Sequence, residues 1–539
     1  MTQPTLTDHI AYACLTQPCR DGLSDQACIR WVNPDLSVAD LTYAHFEGQS
    51  NRLAHVLKNL GVQPADVVSV FLPRSPLLLS AFFAALKNLA LSCVLFSTLG
   101  EEALLDRLGS SQARVIITKH SLLPKLLAIR PQLPALQHIL LVDGPADLPP
   151  AVLALDPLLS AAPNTFDYPH QVDPETPAFL QYTSGSTGKP KGALHVHGAL
   201  KDMCSSFTDI MLPTPRDLFW CTADPAWITG LVYGIIAPLA ARIPQLQFSG
   251  GYRAAHWMQL IADHRVTIWY TAPTALRMLM QEPPETFTQP DLSSLQRIYS
   301  VGEPLNPEIF AWGQKTFHRD IYDTWFQSET GSMMITNHPG MPVKPGSMGL
   351  PRHGVEVHIC DEELQPVPTG RQGHLCLKKG WGSMFRTYYQ RPEAYREKFS
   401  RDLYITGDLA RRDEDGYVWY VSRADDVINT GGHLVGPFEV ESALLELPEV
   451  ADVAVIGAAD PLLHQKIVAF LVLPQGLAWS RQLELKCRLH VANHVSTTAI
   501  PAEFRQVDRI PKNQSGKILR RVLKALYEGQ DPGDLSTME

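Results

Sequence analysis

The sequence has little of what marks a nucleic-acid-binding, membrane or secreted protein. Lys and Arg number 46 against 55 Asp and Glu, a formal net charge of -9. That balance supplies no general field for phosphate backbones, so nucleic acid is not expected as a partner. There is no CxxC pair and no zinc spacing. The nine cysteines stand scattered at positions 14, 19, 28, 93, 204, 221, 360, 376 and 487, which fits a reducing cytoplasm better than a disulfide framework. The opening MTQPTLTDHI has no basic stretch followed by an apolar one, so no secretory signal is expected. The longest apolar stretch, Leu77 to Phe96, is interrupted by Lys87-Asn88 and reads as a helix followed by a buried strand, with no membrane expected. No internal repeat is visible, and low complexity is confined to the polar tail after Glu528.

What is present is a globular composition, 45% hydrophobic and 19% charged over 539 residues, too long for one core. One stretch dominates: Tyr182-Thr183-Ser184-Gly185-Ser186-Thr187-Gly188-Lys189-Pro190-Lys191-Gly192. Its glycines let backbone N–H groups turn towards a ligand, its hydroxyls add donors and its lysines add charge, so it reads as a phosphate cradle. The preceding PAFLQY (177–182) is apolar enough to be a strand carrying the loop at its C-terminal end. A Walker A loop would run from Lys into a helix, but Pro190 follows Lys189 directly and disfavours helix there.

Apolar runs at 67–72, 92–96, 113–118 and 138–142 alternate with helical patterns at 42–60 and 77–86, as in βαβ units around a parallel sheet. The alternation continues from 216 to 310. Residues 340–422 hold short extended pieces between Gly and Pro, which suits an antiparallel or barrel-like lobe. Beyond Arg423, strands at 450–456 and 466–473, a helix at 483–495 and a lysine-bearing loop at 512–517 read as a compact α+β domain. The expected class is α/β: a large N-terminal domain, 1–423, of βαβ-type sheets plus a barrel-like lobe, and a small mobile C-terminal domain, 424–539.

The glycine-rich loop resembles the signature of the adenylate-forming superfamily, which includes acyl-CoA synthetases, luciferases and peptide-synthetase adenylation domains. Further motifs carry the same resemblance. Asp323-Thr324-Trp325-Phe326-Gln327-Ser328-Glu329 is similar to the family segment that closes over adenine and ends in a metal-binding glutamate. Mg2+ prefers hard oxygens and takes one or two carboxylates plus phosphates, so Glu329 is the candidate metal ligand. Gly302-Glu303-Pro304 falls where the family lines its adenine pocket. Thr406-Gly407-Asp408 places Asp408 on the ribose hydroxyls, with Arg423 nearby on the nucleotide. Asp425 falls on the family's hinge position. Lys517, in Pro511-Lys512-x-x-Ser515-Gly516-Lys517, matches the catalytic lysine that stabilises charge between acid and α-phosphate.

The resemblance narrows to the acetyl-CoA synthetase branch at 221–230 (CTADPAWITG), 323–325 and 341–349 (MPVKPGSMG). It implies an acyl pocket walled by Trp227, Ile228, Thr229, Val301 and Phe326. Phe326 stands where a second Trp is usual, and the expected acid is short, two to four carbons, acetate or propionate first. The implied reaction consumes ATP with Mg2+, forms an acyl adenylate and passes the acyl group to CoA, the Gly432-His433 turn admitting the pantetheine arm. Two alternatives stay open: a larger or functionalised acid delivered to an acyl carrier protein, and a weakened acyl-nucleotide sensor. One departure supports the latter. Leu434 stands where the family usually has a cation, so a slower first half-reaction is expected unless Arg423 or His433 compensates.

Overall fold

The computed structural model describes residues 7–145, 147–183, 190–431, 433–513, 517–532, 535 and 538. Among them, two large sheets form the frame. The first has eight strands in the order Thr387–Tyr388, Lys191–Val196, Pro177–Thr183, Leu91–Val94, Val67–Phe71, Val115–Lys119, His138–Val142 and Val152–Ala154. From Pro177–Thr183 onward neighbouring strands run parallel. The second has nine strands, with a parallel centre built from Ala27–Val32, Gln245–Phe248, Phe219–Cys221, Ile268–Thr271, Arg297–Val301 and Ile321–Trp325.

The pleat decides which core each strand residue enters. In the first sheet Val68, Val70, Val115 and Ile117 join one core, while Val67, Phe71 and Ile116 join another on the opposite face. In the second, Ile268 and Tyr270 join the same central core, and Trp269, Trp220 and Ile298 face a third. Helices Tyr43–Asn59, Pro76–Lys87 and Leu200–Met211 therefore lie between the two sheets. Helix Glu101–Ser111 covers the far side of the first sheet, and Ala254–His264 and Pro307–Phe317 that of the second. Strands buried on both faces read as continuous apolar runs, which is why 67–71 (VVSVF) shows no alternation.

The Thr183–Lys191 stretch connects two antiparallel neighbours, with Thr183 paired to Lys191. The chain thus returns as a strand and not as a helix, in keeping with the proline after Lys189. Residues Ser184, Gly185, Ser186, Thr187, Gly188 and Lys189 lie outside the described residues.

A third, antiparallel sheet of five strands spans Val357–Cys360 to Val418–Arg423. A fourth begins at Ile428–Thr430 and is built on the long pair Asp452–Asp460 and His464–Val472. Helices Pro437–Leu445, Arg481–His494 and Arg520–Glu528 pack on it. Arg481–His494 starts on a cap, the Ser480 side chain accepting from the Leu483 N–H, and buries Leu483, Cys487 and Val491 along one stripe. The small lobe meets the large one through Phe438 against Tyr420, ring centroids 5.7 Å apart. The Asn306 amide also donates to Ser442 Oγ at 2.7 Å. No described helix is long and apolar enough to cross a membrane.

Candidate active site

Val301, Trp325, Cys221 and Thr271 each end a parallel strand of the second sheet, and Thr183 ends one of the first. Ligands of open α/β sheets bind at such carboxyl ends, and two adjoining cavities open there. One, of about 180 Å3, is walled by Gly302, Glu303, Pro304, Asp323, Thr324, Trp325, Gln327, Asp408, Arg423 and, from the small lobe, Lys517. The other, of about 550 Å3, is walled by Thr183, Trp227, Ile228, Thr229, Val301, Phe326, Ser328 and Glu329. Phe326, Gln327, Arg423 and Lys517 line both. Residues singled out hundreds of positions apart are thus brought together.

Asp408 is the anchor of the smaller cavity. Its Oδ1 accepts from Arg423 Nη1 at 2.9 Å, and its Oδ2 accepts from Trp325 Nε1 at 3.2 Å and Gln327 Nε2 at 3.0 Å. Gln327 Oε1 in turn accepts from the Tyr404 hydroxyl at 2.8 Å. Gly407 has φ +80, and a Cβ there would stand 2.8 Å from Arg423 Nη2. The backbone conformation favours glycine, while the guanidinium, at the end of a flexible side chain, could shift aside. In the cavity wall, Asp323 Oδ1 accepts from Ser300 Oγ at 2.6 Å, and burial pushes the Asp323 carboxyl up to about 7. Thr324 Oγ1 bonds the Ser300 carbonyl at 2.8 Å.

Lys517 reaches this place through a clamp: Asn513 Oδ1 accepts from the Lys517 N–H, and the Lys517 carbonyl accepts from the Asn513 N–H, both at 2.9 Å. The lysine is exposed, and it lines both cavities. Crowding by the surrounding protein is the main cause that lowers its ammonium pKa. Arg423 lowers it further, and Asp408 and Asp426 oppose both.

The end of the larger cavity walled by Trp227 and Phe326 is braced from behind. Phe326 packs edge-on against Tyr233, centroids 5.3 Å apart, and Tyr233 is itself fixed by hydrogen bonds with Ser206 and the Met333 N–H. Phe96 packs on Trp227 at 5.0 Å. At the other end Glu329 Oε1 accepts from the Tyr388 hydroxyl at 2.6 Å, in a wall shared with Thr183, Lys191 and Lys398. The Glu329 carboxylate offers the hard oxygen that a divalent ion such as Mg2+ takes, and the lysines in the same wall suit the phosphates that would supply its other ligands. The Ser328 carbonyl bonds His195 Nε2 at 2.8 Å, and burial pushes that imidazole down to about 4.

Other singled-out residues stand apart. Asp425 pairs with Arg423, 3.5 Å from its Nε, but forms no part of either wall. His433 is exposed and away from both cavities, and Gly432 lies outside the described residues. Leu434 is 55% exposed and likewise outside both walls. With Lys517 seated, the side chain at 434 thus contributes to neither wall. Of the two compensators considered, only Arg423 is in position.

Sequence reasoning missed several wall residues. Arg520 gives both terminal oxygens of Glu441 hydrogen bonds at 2.6 Å and approaches Asp426 at 3.5 Å. Arg277 pairs with Glu303 and bonds Asn306 Oδ1 at 3.2 Å. All six line the smaller cavity. The position of Arg520, three residues past Lys517, was the one available signal.

Two lobes meet at adjoining cavities, and a lysine from the small lobe stands in the walls of both. The family model for AMP-binding enzymes matches residues 23–389, and that for the AMP-binding enzyme C-terminal domain matches 439–517. The chain belongs to the AMP-binding enzyme family, on its acetyl-CoA synthetase-like side. It is 42% identical to an acetyl-coenzyme A synthetase of Bacillus subtilis (strain 168) over 92% of this chain and 87% of that one. It is 36% identical to an acetyl-coenzyme A synthetase of Pyrobaculum aerophilum over 93% of this chain and 79% of that one. Among solved structures, the anthranilate CoA ligase AuaEII in complex with anthranoyl-AMP superposes with a TM-score of 0.88 at 27% identity, covering 97% and 98% of the two chains. A Brucella canis acyl-CoA synthetase superposes with a TM-score of 0.75 at 29% identity, covering 98% and 96%.

Proposed function

We propose that the chain is an AMP-forming acid–thiol ligase. It activates a short carboxylic acid with ATP to an acyl adenylate and pyrophosphate, then transfers the acyl group to CoA with release of AMP. The observation that carries this reading is the position of Lys517, in the wall between the nucleotide cavity and the acyl cavity. Curated relatives named acetyl-coenzyme A synthetase, matching nearly end to end, support the short acid and CoA.

In the first half-reaction the acid's carboxylate attacks the α-phosphorus and the β-phosphate oxygen leaves as pyrophosphate. Lys517 donates hydrogen bonds where negative charge collects between carboxylate and α-phosphate, with positioning supplying much of the remainder. Asp408 accepts from the ribose hydroxyls, and Gly302, Glu303, Pro304 and Trp325 line the base. Thr183 and Lys191 stand where the released phosphates lie. Glu329 would hold Mg2+, which supplies charge neutralisation to the triphosphate when bound. In the second, the small lobe turns about Asp425, Lys517 withdraws, and the 431–434 turn comes to the cavity for the thiol. The nine cysteines are all free, in accord with a reducing, cytoplasmic setting.

Trp227, Ile228, Thr229, Val301 and Phe326 close the acyl end. Each methylene that fits gains about 0.8 kcal/mol from burial, so propionate competes with acetate until the Phe326–Tyr233 wall stops the chain. A panel of straight-chain acids with ATP and CoA, read as CoA consumption and AMP release, is the test. Turnover is expected with acetate and propionate and declines by butyrate. Inactivity with all three would overturn the proposal.

A further inference from the structure

Away from both cavities, the small lobe gathers three ligand-type side chains. Glu446 is the C-terminal cap of helix Pro437–Leu445. His490 and His494 stand four residues apart on helix Arg481–His494, hence on one face. His490 Nε2 lies 2.6 Å and His494 Nε2 3.8 Å from the same Glu446 oxygen. The imidazoles stack with centroids 3.9 Å apart. One ligand atom from each residue falls within 4.8 Å of the other two.

We propose that Glu446, His490 and His494 form a binding site for one divalent transition-metal ion of the zinc class. His494 carries the argument furthest. Its Nδ1 stands 2.9 Å from the His490 carbonyl, and a carbonyl only accepts, so Nδ1 bears the proton. In the neutral ring Nε2 then presents a lone pair towards the carboxylate, the tautomer and second-sphere bond that metal-binding histidines use. Ligands of a tetrahedral ion at about 2.0–2.1 Å stand roughly 3.3 Å apart, so the three atoms need only small side-chain rotations to close on an ion, which displaces to His490 Nδ1 or to solvent the proton that His490 Nε2 now donates to Glu446. Imidazole donors select zinc, cobalt, nickel or copper over Mg2+. The neighbouring cation Lys486 is held by Glu449 at 2.6 and 2.8 Å, leaving Glu446 as the anion facing the histidine pair. An ion here fastens the end of helix Pro437–Leu445 to helix Arg481–His494. Pro437, Phe438, Glu441 and Leu445 of the first helix line the smaller cavity.

The test is a Co2+ titration of the full, untagged chain in excess Mg2+, followed by visible absorption and by melting temperature. One ion per chain is expected, with bands of nitrogen-ligated Co2+ and a melting temperature that rises with Co2+. His490→Ala and His494→Ala should each weaken binding about tenfold or more, and His494, being exposed, can be replaced without opening a core. No saturable uptake below about 1 mM, or variants that titrate like the parent chain, would overturn the proposal.

Discussion

Asp408 and Arg423 face each other as register partners on adjacent antiparallel strands, and their side chains meet at 2.9 Å. Arg423 ends the last strand of the large lobe's antiparallel sheet, and Lys517 of the small lobe lies close enough to feel both charges. The pair therefore sets the field in which Lys517 works.

Removing the Asp408 charge has a signed consequence. Arg423 lowers the Lys517 pKa and Asp408 raises it, so Asp408→Asn lowers it further. With Lys517 acting as a cation, as proposed, activity would fall as pH rises through its pKa, so the alkaline limb of ATP–pyrophosphate exchange should move to lower pH. Loss of the charge-assisted bonds that Asp408 is proposed to accept from the ribose hydroxyls should also cost about 1.5–3 kcal/mol, roughly ten- to a hundredfold in kcat/KM for ATP. A profile with an unmoved alkaline limb would refute this coupling.

Lys517→Ala should abolish adenylation, by about a hundredfold or more. It should leave thioester formation from supplied acyl adenylate and CoA close to the parent rate. Exchange kinetics and a CoA-consumption assay measure the halves separately, and equal loss in both would contradict the two-position scheme.

Phe326→Ala should shift preference from acetate towards acids of five or more carbons, each accommodated methylene gaining about 0.8 kcal/mol. Phe326→Trp should narrow the panel to acetate. Ratios of kcat/KM across the panel read both effects. An unchanged ranking would mean that another residue sets chain length.

Asp323 links stability to pH. Its folded pKa is raised to about 7 by burial, against about 3.9 unfolded. The native state thus holds the extra proton between those values, and this group's contribution falls as pH rises from about 4 to 7. Asp323→Asn should therefore raise the melting temperature of the ligand-free protein more at pH 8 than at pH 5, and an equal shift at both would disprove the assignment. Asn can still accept the Ser300 hydrogen bond.

Much of this was legible before the fold was known, for physical reasons. Strand Val67–Phe71 announces itself because both its faces are buried, whereas Lys517 stands out only through the resemblance of its motif to a family's, a lone lysine being ordinarily a solvated side chain. Contacts between distant polar residues have no local period to reveal them. Arg520 finds Glu441 79 residues away, and Tyr388 finds Glu329 59 residues away. Arg277 and Glu303 are partners only because neighbouring parallel strands carry them to the same cavity. The placing of Leu434 was also invisible, since a residue type says nothing about which side of a lobe it occupies.

Among the described residues, Asn513 and Lys517 are the small lobe's contribution to the wall of the larger cavity. On the proposed function, the chamber for the acid would be walled in part by the same element that activates it. Withdrawing the lysine for the second half-reaction would then remove part of that wall in the same movement. Activation before transfer would follow from one shared part, with no separate sensor.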